Sequence, residues 1–485
     1  MMTRYSFVGV LLLFVGIEVV KGQYLKPGFD KAEYIEMMKI SARFGAPSYV
    51  ASVPAPENYQ SVYRSPVVGL DNTWDLWTHK SKPIAVLSIR GTTANEVSWL
   101  ANFYAAMVPA KGELQLNKNE TFKYELSANP QAAVHIGWLI STAILAKDIL
   151  LKVDSCYQKG VKDVIIMGHS QGGAIAFLLT AYLYSLQKQQ TIPADIRFKT
   201  YCSAGPKPGN LFFAYEYESL TQNGWAYNVV NTADWVPEVP ISIQTLSDFN
   251  RTNPFINAKS IIKKQKFPKN LALKHAYNQL NKPTLKAQKN YQKYLGKMAS
   301  SIVKKNISGF VSPTYYHSNH YVRTGNTIVL KADEEYFKLY PDSQEKVFVH
   351  HFHQPYLYLV EKLAISNETE TTASFLEGMW ELTYLNTSET LAGLYPDKKP
   401  SIVFDVKNNQ ISGYAGCNRF AGKLNTSGSK INFTAPLAMT KMFCPGQGES
   451  LFVETLQKVT SYGIVEGKWL TLFKDDIALM RFEKK

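Results

Sequence analysis

The stretch Asp163–Leu179, DVIIMGHSQGGAIAFLL, sets a serine between glycines where an apolar run ends. Val164–Met167 is short, apolar and β-branched, the pattern of a buried strand. Ala174–Leu186 has the length and composition of a helix. A serine at such a strand-to-helix turn stands clear of the sheet and sits at a helix N-terminus. The turn is tight, so Gly168, Gly172 and Gly173 are expected where a side chain would clash. A serine hydroxyl is a poor nucleophile until a base takes its proton. Ser170 therefore needs a histidine, an acid to orient it, and donors for a developing oxyanion.

The surrounding chain supplies a frame for these groups. Ile84–Gly91 (IAVLSIRG) reads as a second buried strand, and Ala132–Val153 has helix-length apolar periodicity. RFKTYCSAGPKPGN and Trp225–Pro237 (WAYNVVNTADWVP) add two further strand-like runs. Strands alternating with helices predict an α/β fold with a largely parallel sheet. Asp234 follows the last of these runs, and Pro237 and Pro240 reverse the chain after it. That places a carboxylate at the C-terminal edge of a strand, where catalytic groups gather in such sheets. The histidines after it are His275, His317, His320, His350, His351 and His353. The last three precede the helix-like YLYLVEKL, and spacing alone does not choose among them.

Several ordered motifs give this region a resemblance. SIRGTT follows the first buried strand; Trp99 and Asn102 come next, then VHIGW at Val134–Trp138. The serine elbow is followed by AGPKPGN and by Asn231, Asp234, Val236 and Pro237. From about Ala85 to Leu363 the chain resembles the fungal-type (class 3) lipases. The resemblance implies an α/β-hydrolase sheet with flanking helices, with Ser170 as nucleophile and Asp234 as orienting acid. It implies His353, followed by Tyr356 or Tyr358, as base, and the backbone N–H groups of Thr92 and Gln171 as oxyanion donors. Gln171 stands where the family usually has leucine; only its N–H is required. His135 and His169, also within motifs, read as packing and hydrogen-bonding residues. The family's lid region corresponds to Ser98–Ala110 (SWLANFYAAMVPA), expected either to shield the site or to be an ordinary buried helix.

The net charge of +14 is concentrated. Between Asp248 and Asp333 there is no Asp or Glu but 16 Lys and Arg. Within it, about residues 253–306 read as a Lys-rich, mostly helical insert. A basic block suits an anionic membrane or lipid surface, or simply a solvated face. No nucleic-acid motif accompanies it, so no nucleic-acid partner is expected. The first 22 residues have Arg4, an apolar run of 11 residues from Phe7 to Ile17, and small residues at Val20 and Gly22. A run that short falls well under the roughly 20 residues needed to span a bilayer. It reads as a secretory signal peptide cut before Gln23, with an uncleaved anchor as the alternative. Secretion or residence in the cell envelope follows as an expectation.

Residues 366–374 are polar and aperiodic, and read as a linker between a domain at 23–365 and a smaller β-rich one at 375–485. In the latter, short alternating strands surround one amphipathic helix, ESLFVETLQKVTSYG. Trp380, GYAGCNRFAG, MTKMFC, Glu449 and WLTLF give it a resemblance to META domains. Cys417 and Cys444 are read either as a disulfide or as two buried thiols. No C-x-x-C pair suggests zinc, and no cofactor is expected. The whole predicts a secreted serine hydrolase acting on lipid or other carboxylic esters. The alternatives are a phospholipase and an envelope binding or adhesion protein with an inactive hydrolase domain.

Overall fold

The computed structural model describes residues 24–363 and 375–485, apart from residues 428, 466 and 476. The signal-peptide reading and the linker reading fall outside the described residues. The chain divides into two compact units that meet in sequence at residues 363 and 364.

The first unit is built on a seven-stranded sheet. In chain order its strands are β1 (Tyr59–Arg64), β2 (Trp74–His79), β3 (Ile84–Ile89), β4 (Asp163–His169), β5 (Arg197–Ser203), β6 (Ala226–Asn231) and β7 (Asn326–Leu330). Their order across the sheet is the same as their order along the chain. β1–β3 pair antiparallel, and β3–β4–β5–β6–β7 pair parallel. The principal helices are α1 (Lys31–Ser41), α2 (Glu96–Phe103), α3 (Ile136–Gln158), α4 (Gln171–Lys188), α5 (Leu211–Leu220), α6 (Lys269–Gln292) and α7 (His353–Lys362).

The central strands are buried on both faces, and their side chains alternate between two cores. Leu87, Ile89, Val164 and Ile166 join the core that holds α3 and α4. Val86, Ile165 and Met167 join the core that holds α1 and α7. Period-two alternation between two apolar layers explains why these strands read as continuous hydrophobic runs. Burial of this kind contributes roughly 1.5–3 kcal/mol per large side chain. A second, four-stranded sheet joins Met107–Pro109, Ala133–His135, Gly209–Asn210 and Tyr321–Val322. No helix among the described residues is long and apolar enough to cross a membrane.

The second unit is a ten-stranded antiparallel sheet running from Gly378–Leu385 to Ile477–Lys484 in sequence. Its helix, Gly448–Gln457, buries Phe452 and Leu456 in a core with Trp380, Phe404 and Phe482. Cys417 and Cys444 are joined by a disulfide. Asn418 sits beside it: its side-chain amide donates to Glu449 Oε1 (3.0 Å) and to Met442 O (3.1 Å). Cys156 and Cys202, in the first unit, are free and buried.

Candidate active site

Three loops leave the C-terminal ends of parallel strands and converge. β3 and β4 run in register, with Ile89 opposite Gly168, so the loop Arg90–Thr93 emerges beside the serine turn. Gly91 lies against the turn: a Cβ there would meet the His169 carbonyl at 2.9 Å. Ser170 itself has φ 62° and ψ −131°, a region that non-glycine residues rarely occupy. Such a conformation costs on the order of 1–3 kcal/mol and persists only when neighbours enforce it. Here Ser170 N donates to Ser203 O at 2.9 Å, and Gly173 N donates back to Ser170 O at 2.9 Å. A Cβ on Gly168 would collide with the Gly172 carbonyl, and one on Gly172 with the Ile89 carbonyl. The glycines are thus fixed by close backbone approach on both sides of the turn.

Asp234 follows β6 and is fully buried at its side chain. Its Oδ2 accepts from His351 Nδ1 at 2.7 Å and from the Tyr356 hydroxyl at 2.8 Å. Its Oδ1 accepts from Val236 N at 3.0 Å. Three donors hold the carboxylate in one orientation. The opposite nitrogen of His351, Nε2, is buried and makes no hydrogen bond among the described residues. His351 and Ser170 line the same cavity.

This corrects one assignment. His353, expected as the base, does not meet Asp234. It begins α7, where its Nδ1 lies 2.7 Å from the Tyr49 hydroxyl and its Nε2 3.2 Å from Ser41 Oγ. Both ring nitrogens are occupied, and desolvation pushes its pKa well below the usual histidine range. His350 turns elsewhere again, with Nδ1 2.8 Å from the Tyr336 hydroxyl and Nε2 3.0 Å from Asp342 Oδ1. Of the three neighbouring histidines, His351 alone meets Asp234. Asn231 fixes this turn, donating from Nδ2 to His350 O at 3.0 Å. His169 supports it too, with Nε2 2.7 Å from the His351 carbonyl, so that nitrogen carries the proton. Burial lowers the His169 pKa to about 3, which keeps the ring neutral and the hydrogen bond intact.

The loop expected to carry the oxyanion donor is braced from both ends. Arg90 donates to Asp71 O at 2.6 Å and pairs with its carboxylate at 3.2 Å. Thr93 Oγ1 donates to Asp71 Oδ2 at 2.6 Å, and Thr93 N donates to Ser98 Oγ at 3.1 Å. Thr92, between them, receives Asn102 Nδ2 on its hydroxyl at 2.9 Å. Asn102 Oδ1 accepts from Trp138 Nε1 (3.0 Å) and from Gln171 Nε2 (2.8 Å). Gln171 also donates to Ser98 O at 2.9 Å. The glutamine that departs from the family's leucine therefore ties the residue after the serine to α2 and, through Asn102, to Thr92. His135 caps α3 through Nδ1, accepting from Trp138 N at 3.4 Å, and its Nε2 lies 3.2 Å from Asn102 O. Its pKa is lowered to about 3 by burial.

Ser170, Gln171, Thr92 and His351 open into a cavity of about 780 Å³. That is the size and character of a small-molecule site, mostly apolar with a few convergent polar groups. Trp99 stacks on Phe103 (centroids 6.0 Å apart) and leans on Phe348 (6.1 Å), which in turn meets Trp235 at 5.4 Å. The lid expectation for Ser98–Ala110 narrows accordingly. Ser98, Leu100, Ala101 and Tyr104–Val108 are buried, and Met107–Pro109 is a strand paired with Ala133–His135. Only Trp99 and Phe103 of this segment, with Asn102 and Ala105, line the cavity. Movement of Met107–Pro109 would break its pairing with Ala133–His135.

A sheet of this order with a strained serine at the end of β4 is an α/β-hydrolase arrangement. Residues 86–243 match the lipase (class 3) family model, and residues 373–485 match the META domain model. Among solved structures, a fungal lipase in complex with an inhibitor is 20% identical; the alignment covers 43% of this chain and 74% of that one, with a TM-score of 0.34. Triacylglyceride lipase from Rhizomucor miehei is 19% identical over 44% of this chain and 77% of its own, with a TM-score of 0.33. Lipase II from Rhizopus niveus is 23% identical over 43% and 74%, with a TM-score of 0.32. No curated protein matches the chain.

Proposed function

We propose that the protein is a serine lipase or carboxylic ester hydrolase that works through an acyl-enzyme on Ser170. One observation carries this reading most directly: the His351 imidazole is anchored by Asp234, and its other nitrogen is unpartnered at the cavity that Ser170 lines. In the first step Ser170 Oγ adds to the ester carbonyl while His351 Nε2 takes the hydroxyl proton. Asp234 stabilises the imidazolium that results, and Tyr356 keeps the carboxylate in place. The oxyanion meets the backbone N–H groups of Thr92 and Gln171. Collapse expels the alcohol, which takes the proton back from His351. Water then repeats the sequence on the acyl-enzyme, releasing the acid and restoring Ser170.

The cavity supports an apolar acyl group. Phe44, Trp99, Val239, Ile241, Leu295 and Phe352 are among its walls. Arg90, the only Lys or Arg among the described residues that line it, is already paired with Asp71. That favours a neutral acyl ester, such as a triacylglycerol, over a substrate whose phosphate must be held inside. The leader-like first 22 residues and the disulfide in the second unit support export to the cell envelope or beyond. A mature chain beginning at Gln23 in the exported fraction tests that part.

The activity is tested by hydrolysis of p-nitrophenyl esters from acetate to palmitate. Wild type is expected to hydrolyse them, and Ser170→Ala to lose about 10⁴-fold or more in kcat. Equal rates in the two proteins would reject Ser170 as the nucleophile.

A further inference from the structure

The Lys-rich insert has two limbs of opposite character. Its C-terminal limb is seated in the first unit: Gln288, Gly296, Ala299, Ser300 and Val303 are buried. Ala106 N donates to Leu295 O at 3.1 Å, and Gln292 Nε2 donates to Tyr316 O at 2.6 Å. This limb also delivers Tyr291 and Leu295 to the cavity wall. The limb before it is different. From residue 251 to residue 287 no residue is buried, although the segment includes most of the 24-residue helix α6.

Two features of this outer limb point to the same partner. The first is charge. Eight lysines lie between Lys259 and Lys286, all exposed, with no Asp or Glu between Asp248 and Asp333. Among the described residues none of the eight forms an ion pair. A solvated helix of a soluble protein normally intersperses both signs. The second is apolar exposure among those lysines. Phe267 is 78% exposed, Leu280 77%, Leu271 54% and Leu273 38%. A nucleic acid would reward the charge and leave these side chains in water. An anionic bilayer rewards both, since basic residues meet the headgroups while aromatic and aliphatic ones enter the acyl boundary. Among the residues that line the cavity, Phe103 is 56% exposed and Ile241 71%.

We propose that the limb 251–287 is a docking arm for anionic phospholipid surfaces, which holds the mouth of the site against the lipid. This partner rests on the reading of the site as an ester hydrolase, but binding is measured separately from turnover. The arm is joined through α6 to the limb that lines the cavity, so docking brings the site and the surface together without a rearrangement of the core.

The test uses full-length protein with Ser170→Ala, so that no lipid is consumed. It is mixed with vesicles of phosphatidylcholine alone or with 30% phosphatidylglycerol, on the order of the anionic content that gives a strong surface potential. Binding is expected only to the anionic vesicles and is expected to fall steeply between about 0.05 and 0.5 M salt. Replacing Lys263, Lys264, Lys266, Lys269 and Lys274 with Gln should weaken it by roughly tenfold or more. Phe267→Ser with Leu271→Ser should weaken it at high salt as well. The same replacements in the Ser170 background should leave hydrolysis of a water-soluble ester unchanged. Equal binding to neutral and anionic vesicles, or binding that survives the five lysine replacements, overturns the proposal. So does tighter binding to a DNA duplex than to the anionic vesicles. Failure of soluble-ester hydrolysis with intact vesicle binding would instead reject the reading of the site.

Discussion

The serine turn and the outer limb of the insert lie in one unit and follow opposite rules. Around Ser170 the Asp234 carboxylate and the Gln171 amide nitrogen are held by hydrogen bonds, and glycines fill positions where one carbon would collide with backbone. In the outer limb the lysines are unpaired and large apolar side chains face water. The first region holds a strained residue and a buried Asp234–His351 hydrogen bond in one geometry. The second keeps its surface free for something outside the molecule. A protein that must do chemistry on a substrate gathered at a surface needs both kinds of region.

Three changes sharpen that contrast. The largest effect on stability belongs to Gly168→Ala, whose methyl would meet the Gly172 carbonyl and carbon within the turn. It should cost about 3 kcal/mol or more, read as a drop in thermal midpoint together with loss of activity. A variant as stable as wild type would mean the turn is looser than described.

Acid sensitivity comes next. Burial lowers the pKa of His135 and His169 to about 3, and that of His353 well below its ordinary value. In the unfolded chain these groups titrate near 6.5. As the pH falls below that value, the unfolded state takes protons that the folded state refuses, and stability is lost. For His135 and His169 the loss runs from about pH 6.5 down to about pH 3. Each contributes a slope of up to about 1.4 kcal/mol per pH unit. The thermal midpoint should therefore fall steadily between pH 7 and pH 5. A flat profile over that range would contradict the burial of these rings.

The smallest effect is expected in the outer limb. Leu280 is 77% exposed, so Leu280→Ser should change stability by no more than about 0.5 kcal/mol. A large loss would show that this face is covered within the protein itself, and would weaken its assignment as a free surface.

Much of this was legible from the residues. The serine turn was readable because its strand, glycines and helix are contiguous in sequence. Asp234 was readable from the chain reversal at the end of a strand. The charge asymmetry of the insert needed only a count. The pairing partner of Asp234 was not legible. His350, His351 and His353 fall within four residues, and the turn before α7 sends each ring in a different direction. The Asn231–His350 hydrogen bond and the start of α7 at His353 decide which ring faces Asp234. Neither has a signature in the spacing. The segment Ser98–Ala110 left two readings open in a related way. Its apolar character suits a cover as well as a core, and only the pairing of Met107–Pro109 with Ala133–His135 separates the two. The side-chain role of Gln171 was equally hidden, since its two acceptors, Ser98 O and Asn102 Oδ1, lie 73 and 69 residues away.

The central claim is that His351, oriented by Asp234, activates Ser170. Steady-state hydrolysis of one soluble ester by His351→Ala and His353→Gln tests it most directly. His351→Ala should lose about 10³-fold or more in kcat, while His353→Gln should stay within about tenfold of wild type and lose mainly stability. Full loss in His353→Gln with activity retained in His351→Ala would contradict the account.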